Sequence, residues 1–238
     1  MEGDSLQRFA FEAFAVRGQL VHLNASWRAV LERHEYPPAV QPVLAQALAA
    51  SVMLSSMLKS DGRVTLQVQG DGPLNLLVAQ CTHQLQVRGL ARWQADVSQG
   101  DFHEQVGDGR LAITVHNEAR PEPYQGIVPL DGVTLGHCLE SYFSASEQLA
   151  TRFWFFANQD SVSGLLLQRM PEADPDSDDW QRVQLMAETI SRQELSTLSN
   201  RALLKRLFNE DDIRVFEPGP ISFRCSCNTK RIESMLRA

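Results

Sequence analysis

Residues 40–59 constrain the fold most strongly, because apolar or small side chains occupy almost every face of the helix that they predict. Pro42 lies in the first turn, where proline is tolerated, and Asp61 and Gly62 follow as a stop signal. A helix with so little polar surface is not suited to the outside of a globular protein. We therefore predict that this helix is buried between layers of the fold.

The residue pattern changes at position 63 to a period of two, in which Val64, Leu66 and Val68 alternate with polar residues. This period predicts a strand, and the Gly-rich turn at residues 70–73 predicts a hairpin. Further strands are predicted at residues 74–80, 84–87, 110–116, 124–130, 151–156 and 165–170. The predicted fold class is therefore α+β, with antiparallel sheets packed against the buried helix.

Thr134 is a suitable N-cap for a short helix that reaches about residue 143. This helix would contain His137 and Cys138, a pair that resembles a base beside a nucleophile. Neighbouring residues on a helix point about 100° apart and do not face each other, so the two side chains cannot act together. We predict a buried Cys138 and a surface His137.

The clearest boundary is the acidic, proline-containing stretch PEADPDSDD at residues 171–179. We assign residues 1–170 to an N-terminal core, 171–179 to an acidic linker and 180–224 to a helical linker region. A predicted helix at residues 180–190 has one apolar face, and Asn200 is predicted to cap a second segment. Short amphipathic helices are marginal alone and need a surface to cover. Their apolar positions are Val183, Met186, Ala187, Ile190, Leu203, Leu204, Leu207 and Phe208.

Cys225 and Cys227 are separated by one residue, and no other two cysteines of the chain lie together. Thiolates bind zinc readily, and positive charge on Arg224, Lys230 and Arg231 favours deprotonation, metal binding and oxidation. A structural zinc site needs four ligands, whereas no Cys or His follows Cys227. We expect residues 225–238 to be the first part of a truncated zinc module. On spacing alone, a structural or incidental thiol pair remains the alternative.

The overall charge limits the classes of partner. A net charge of -7 argues against binding to nucleic acid, which requires a basic face that releases counterions. No apolar stretch reaches the ~18 residues of a membrane span, and no apolar leader follows the acidic N-terminus. We expect a cytoplasmic protein with no membrane association. Four cysteines in 238 residues are too few for a secreted disulfide scaffold, so we expect reduced thiols.

Five stretches together resemble one known family, and they extend over essentially the whole chain. The most characteristic is EPGPISFRCSC at residues 217–227, which leads into the thiol pair. The others are FAVRG at 14–18, QGDGP at 69–73, SEQLATR at 146–152 and LLLQRMP at 165–171. In combination they are highly specific, and the chain resembles the redox-regulated thirty-three-kilodalton heat-shock chaperones of bacteria.

The resemblance implies an ATP-independent holdase that binds unfolding proteins under oxidative stress, rather than an enzyme. In this family an apolar surface of the α+β core is covered by a helical linker, which a four-cysteine zinc module holds in place. Cys225 and Cys227 match the first cysteine pair of that module, so the resemblance implies that they are zinc ligands and the redox switch. Nothing here matches the second, C-x-x-C pair, so this chain is expected to lack zinc or to behave as a partly unlatched chaperone. A homodimer formed by linker exchange is also expected.

A thiol-disulfide oxidoreductase that uses Cys225 and Cys227 is the alternative function. Such enzymes usually carry C-x-x-C at a helix start beside a βαβ pattern, whereas this pair follows an extended, proline-rich approach. A structural zinc-dependent interaction module is a third hypothesis, and it predicts that oxidation does not change client binding.

Overall fold

The computed structural model describes residues 3–94, 97, 100–120, 122–174 and 177–225. Its helices are α1 (Ala25–Leu31), α2 (Gln41–Ser55), α3 (Phe102–Val106), α4 (Leu135–Tyr142), α5 (Asp179–Glu188), α6 (Arg192–Thr197) and α7 (Asn200–Leu207), and a π-helical turn at Phe143–Glu147 follows α4. Its strands are β1 (Ser5–Phe11), β2 (Val16–Leu23), β3 (Gly62–Gly70), β4 (Leu76–Thr82), β5 (Gln86–Arg92), β6 (Gly109–Asn117), β7 (Tyr124–Pro129), β8 (Thr151–Ala157), β9 (Val162–Arg169), β10 (Ile213–Val215), β11 (Gly219–Pro220) and β12 (Ser222–Phe223).

The strands form two sheets. Sheet 1 has the order β10-β1-β2-β9-β8, and β11 also pairs with β1; all of its pairings are antiparallel. Sheet 2 has the order β12-β5-β4-β3-β6-β7, and it is antiparallel except for the short parallel pairing of β12 with β5. The predicted α+β class with antiparallel sheets is therefore confirmed.

Helix α2 packs against strands of both sheets, as its apolar surface predicts. From Val43 to Ser55 every residue except Gln46 is buried, including Leu44 and Leu48, which are fully inaccessible to solvent. The inward side chains of β3, Val64, Leu66 and Val68, belong to the same core as α2. The observed burial of α2 is the burial that its sequence predicts, because a helix without a polar face must be covered on all sides.

The predicted end of α2 was wrong by four residues, because the helix stops at Ser55 rather than at residue 59. After Ser56 the backbone hydrogen bonds change to the i→i−3 pattern of a 3₁₀ turn. The Met57 N–H donates to the Leu54 carbonyl and the Leu58 N–H donates to the Ser55 carbonyl, each at 3.1 Å. Ser56 Oγ also donates to the Met53 carbonyl at 2.8 Å. Serine side chains that bond back to the helix compete with its regular ladder, and this favours termination here.

Helix α4 agrees with the predicted element around His137 and Cys138. Thr134 is its N-cap, and the Thr134 hydroxyl accepts a bond from the His137 N–H. Cys138 is buried and His137 is exposed, as predicted. In the described part of the chain, no helix has the length and apolar character needed to cross a membrane.

Candidate functional site

Sheet 1 is apolar on the side that faces away from α2. Side chains alternate along a strand, so Phe9 and Phe11 of β1 point to this side while Leu6 points into the core around α2. We call this side the outer face; it consists of buried Phe9, Phe11, Val16, Leu20, Leu165 and Leu167, with half-buried Trp154 and Phe156 beside them.

Helices α5, α6 and α7 cover the outer face. Phe208, at the end of α7, is 1% exposed, and its ring centroid lies 5.0 Å from that of Phe11 and 6.1 Å from that of Phe9. The three helices have only 10, 6 and 8 residues, so none is expected to be stable alone. The cover and the face stabilise each other through the buried side chains Val183, Ala187, Leu195, Leu203, Leu204, Leu207 and Phe208.

Polar contacts add little to this attachment. Arg182 of α5 pairs with Asp211 at 2.6 Å and lies over the Phe14 ring at 5.4 Å. The hydrogen bond to Asp211 raises the pKa of Arg182, so this guanidinium stays charged. Arg152 of the core bridges Glu140 at 2.9 Å and Glu188 of α5 at 3.5 Å. Asp211 and Glu140 are largely buried, but the pair with Asp211 links α5 to the segment after α7 and the pair with Glu140 lies within the core. Only the Arg152–Glu188 pair of these joins the core to the cover, and its side chains are 37% and 48% exposed. An accessible pair of this kind contributes roughly 0–1 kcal/mol, so apolar burial provides most of the attachment.

An extended segment leads from α7 to the thiol region along the edges of both sheets. We call residues 212–224 the strap. Its β10 and β11 parts pair with β1 at the edge of sheet 1, and its β12 part pairs with β5 at the edge of sheet 2. The Arg224 N–H donates to the Val87 carbonyl at 3.1 Å, directly before Cys225. Cys225 is therefore connected through one continuous segment to the helices that cover the outer face.

The cysteines have contrasting environments. Cys225 is exposed, whereas Cys81 and Cys138 are buried. Burial raises the pKa of Cys81 to about 12, and burial is also the main cause that raises the pKa of Cys138. A thiol that stays protonated is a poor nucleophile and a poor metal ligand. Because Cys225 is exposed and the other two thiols are buried and protonated, Cys225 is the most reactive of these three cysteines.

The zinc site stays a prediction, because Cys225 is the one of its two predicted ligands that lies within the described residues. Cys227 lies outside the described residues, so its distance from Cys225 is not defined. Within the described ranges, no cluster of three or more His, Cys, Asp or Glu side chains is arranged to hold a metal ion. The Cys225 thiol is a donor that suits zinc, but the described residues do not complete a four-ligand site.

Thiol alkylation should separate these environments. We expect iodoacetamide at neutral pH to modify Cys225 rapidly in the folded, reduced protein, while Cys81 and Cys138 react only after denaturation because burial keeps both thiols protonated and shielded. Peptide mass spectrometry of native and urea-unfolded samples measures the modification at each site. Equal native rates at Cys81 and Cys225 would contradict the assigned burial.

The cover differs in two details from the sequence prediction. Ser199 rather than Asn200 is the N-cap of α7, and Ser199 Oγ accepts a bond from the Ala202 N–H at 3.3 Å. Both residue types are good caps, so the sequence alone does not select between them. Helix α6 was not predicted, although Ser191 and Glu194 form a capping box whose S-x-x-E spacing is a known helix-start signal.

An apolar surface beneath the linker helices was expected from the family resemblance, but the residues that form the outer face were not predicted. Its available signal is in β8 and β9, where apolar residues occupy consecutive positions instead of alternating positions: Phe153 to Phe156, and Leu165 to Leu167. Consecutive apolar residues indicate a strand that is covered on both faces. These strands therefore predict a second layer over sheet 1, which the linker helices provide.

Comparison with solved structures assigns the fold to a class. The chain superimposes with a TM-score of 0.86 on the crystal structure of the 33 kDa chaperonin (heat shock protein 33 homolog) of Thermotoga maritima, over 99% of this chain and 84% of that chain. The sequence identity is 22%, so this match establishes the fold alone. The chain therefore shares the fold of that Thermotoga maritima protein.

Sequence comparison then identifies the family. The family model for Hsp33 protein matches residues 4–238. The 33 kDa chaperonin of Nitrosococcus oceani is 51% identical over 99% of this chain and 81% of its own length, and that of Methylobacillus flagellatus is 41% identical over 98% and 81%. The chain belongs to the Hsp33 family, as its motifs predicted, and its class of activity is that of a chaperone.

Proposed function

We propose that this chain is an ATP-independent holdase, which binds unfolding proteins under oxidative stress and prevents their aggregation. The observation that supports this most strongly is the apolar outer face of sheet 1 beneath three short helices. A large apolar surface that becomes exposed is suited to many different unfolded chains, because hydrophobic contact does not require a particular sequence. The proposal involves no chemical change in the client, and we propose a role that is not enzymatic.

Release of the cover is the proposed switching step. Because each helix is short and gains its stability from the outer face, loss of a few apolar contacts favours detachment of all three. The exposed surface would include the aromatic side chains of Phe9, Phe11, Trp154 and Phe156. Aromatic rings bury large apolar areas, which favours client binding.

The proposed trigger is oxidation of Cys225 and Cys227. Formation of a disulfide releases two protons and transfers two electrons to the oxidant, and the product no longer offers thiolates to a metal. We propose that Cys225 and Cys227 form half of a four-cysteine zinc site, in which bound zinc would supply folding free energy to a small module. Loss of that module would remove the anchor at the end of the strap.

The proposed partners are unfolded or aggregation-prone proteins and a second copy of the chain. The cover is joined to the core through the acidic stretch at residues 171–179, and exchange of such an element between copies is a common route to a homodimer. We propose a cytoplasmic location, where thiols are kept reduced until oxidants accumulate. No binding to nucleic acid or membrane is proposed.

Light scattering from an aggregating client tests this function. We expect aggregation to be suppressed without ATP, and more strongly after treatment with oxidant than in reducing buffer, because oxidation releases the cover. Zinc content per chain should be measured on the same reduced and oxidised samples. Cys225→Ser is the control, since it should remove the response to oxidant. Equal lack of suppression in both buffers would exclude the holdase proposal.

A further inference from the structure

The edge of β1 is held by the strap mainly through backbone groups. The Phe216 N–H donates to the Arg8 carbonyl at 3.0 Å, and the Glu12 N–H donates to the Asp212 carbonyl at 2.9 Å. The register pairs Ala10 with Arg214 between these two bonds. The edge of β1 that faces away from β2 therefore binds an extended segment through its backbone groups, and this segment is the strap.

Ile213 packs half-buried against the outer face, and the other strap side chains over this part contribute little apolar burial. Val215 is 51% exposed and Phe216 is 40% exposed. Arg214 forms a 2.7 Å ion pair with Glu12, but both side chains are accessible to solvent. The buried anchor, Ile221, lies further along, beyond β11. An edge covered mainly through the backbone is suited to exchange of one extended segment for another, because its pairing is largely independent of sequence.

A groove beside β1 provides space for alternate side chains of such a segment. It has a volume of about 340 Å³, and its apolar lining includes Phe14, Met57, Met170 and Phe216. Methionine side chains are flexible and polarizable, so they adapt to apolar groups of different shapes. Because Phe216 belongs to the strap, departure of the strap would open this groove together with the β1 edge.

We propose that, after the strap leaves, the β1 edge binds an extended segment of the unfolded client as a replacement strand. This inference rests on the proposed holdase function and adds a backbone-binding site to the apolar outer face. The edge offers the N–H and C=O groups of Arg8 and Ala10, and unpaired edge groups readily accept a further strand. The backbone is the part that all unfolded proteins share, so this edge explains broad client selection. The groove contributes an adaptable apolar contact.

The strap is also the segment closest to the proposed switch. Its β12 part ends at Phe223, two residues before Cys225. Pairing at β12 is only two residues long, and Phe223 is further supported by Arg33, which lies over its ring at 5.7 Å. A change at Cys225 therefore acts first on β12 and then on β11 and β10. Oxidation would expose the β1 edge before or together with the outer face.

Peptide binding to the oxidised full-length chain tests the proposal. The probe is an unstructured apolar peptide labelled with a fluorophore, and its matched control has the same sequence with N-methyl groups on the central residues. N-methylation removes backbone donors and retains every side chain. We expect affinity to fall by about tenfold or more for the methylated peptide, since several strand hydrogen bonds are lost together. Fluorescence anisotropy measures both affinities.

Two proline variants provide a matched comparison without oxidant. Phe216→Pro removes the N–H that donates to Arg8, whereas Val215→Pro removes an N–H that points away from β1, because residue 215 is in a non-hydrogen-bonded pair. We expect Phe216→Pro to bind the unmethylated peptide about fivefold more tightly than Val215→Pro does. Phe216→Ala separates loss of the ring from loss of the N–H.

The possible outcomes separate this proposal from the holdase function. Equal binding of the two peptides would overturn strand addition while leaving an apolar holdase. Binding of neither peptide by the oxidised chain would overturn both proposals. A concentration-dependent dimer that excludes the peptide would assign the β1 edge to a second copy, and would also overturn the proposal. Weaker binding of the methylated peptide than of the unmethylated peptide would support strand addition at the β1 edge.

Discussion

Phe208→Ala should make the reduced chain suppress client aggregation about as strongly in reducing buffer as the unchanged chain does after oxidation. Phe208 is 1% exposed and packs its ring against both Phe9 and Phe11 of the outer face. Truncation of a buried Phe typically costs about 3–5 kcal/mol, through lost transfer free energy and the cavity that remains. This loss is large for helices of 6 to 10 residues that depend on the same face. The cover should therefore detach, and the outer face should become accessible.

Leu203→Ala and Leu185→Ala provide the matched comparison. The two variants remove the same atoms from the same linker, but Leu203 is fully buried in the cover and Leu185 is 57% exposed. We expect Leu203→Ala to act like Phe208→Ala, and Leu185→Ala to behave like the unchanged chain. Light scattering in reducing buffer measures the activity, and hydrophobic dye binding reports surface exposure. Increased dye binding without aggregation suppression would show that the outer face does not bind clients.

The central layer of the fold was predictable because its signals are local. Residues 40–59 carry apolar or small side chains on almost every face, which predicted a buried helix. The two-residue period around Val64 predicted β3 and also which of its side chains point into the core. The apolar face predicted for residues 180–190 is also confirmed, since Val183 and Ala187 are buried against sheet 1. Periodicity identifies which side of an element is covered, but it does not identify the element that covers it.

Local sequence patterns could not predict which strands pair when they are far apart along the chain. The approach to the cysteine pair was predicted as extended, yet the sequence does not show that β10 pairs with β1, about 200 residues earlier. The crossing of the strap from sheet 1 to sheet 2 depends on the positions of two edges in space. A strand edge offers the same backbone groups whatever its sequence, so no residue pattern identifies its partner.

Three of the stretches that carried the family resemblance meet through one polar network on the α2 side of sheet 1. Thr151 Oγ1 accepts a bond from Gln168 Nε2 at 2.9 Å, and Gln168 Oε1 accepts a bond from Arg17 Nε at 2.9 Å. These residues come from SEQLATR, LLLQRMP and FAVRG, respectively. Burial lowers the pKa of Arg17, a cost that its bonds to Gln168 partly offset. The stretches therefore specify how β2, β8 and β9 fit together.

The QGDGP stretch likewise has a structural role, and Gly72→Ala should destabilise the whole chain. A Cβ at Gly72 would lie 2.6 Å from the Gln105 carbonyl oxygen, the Val106 carbonyl carbon and the Gly107 nitrogen. The loop at residues 70–74 is bonded to this backbone, since the Gly72 N–H donates to Val106 at 2.9 Å and the Leu74 N–H donates to Gln105 at 2.8 Å. The backbone atoms near the added Cβ cannot rotate away as a side chain would, so the two loops would have to move apart. That movement would lengthen and weaken both hydrogen bonds.

We expect Gly72→Ala to lower the free energy of unfolding by about 2–4 kcal/mol, as overpacking and two weakened backbone hydrogen bonds combine. Urea unfolding followed by circular dichroism measures the change. Gly136→Ala is the matched control, since a Cβ there meets its nearest atoms at an ordinary 3.5 Å and lies in α4, where alanine is favoured over glycine. It should leave stability unchanged or raise it by about 0.4–1 kcal/mol. A loss at Gly136→Ala equal to that at Gly72→Ala would show that glycine flexibility, rather than the close approach of two loops, determines the effect.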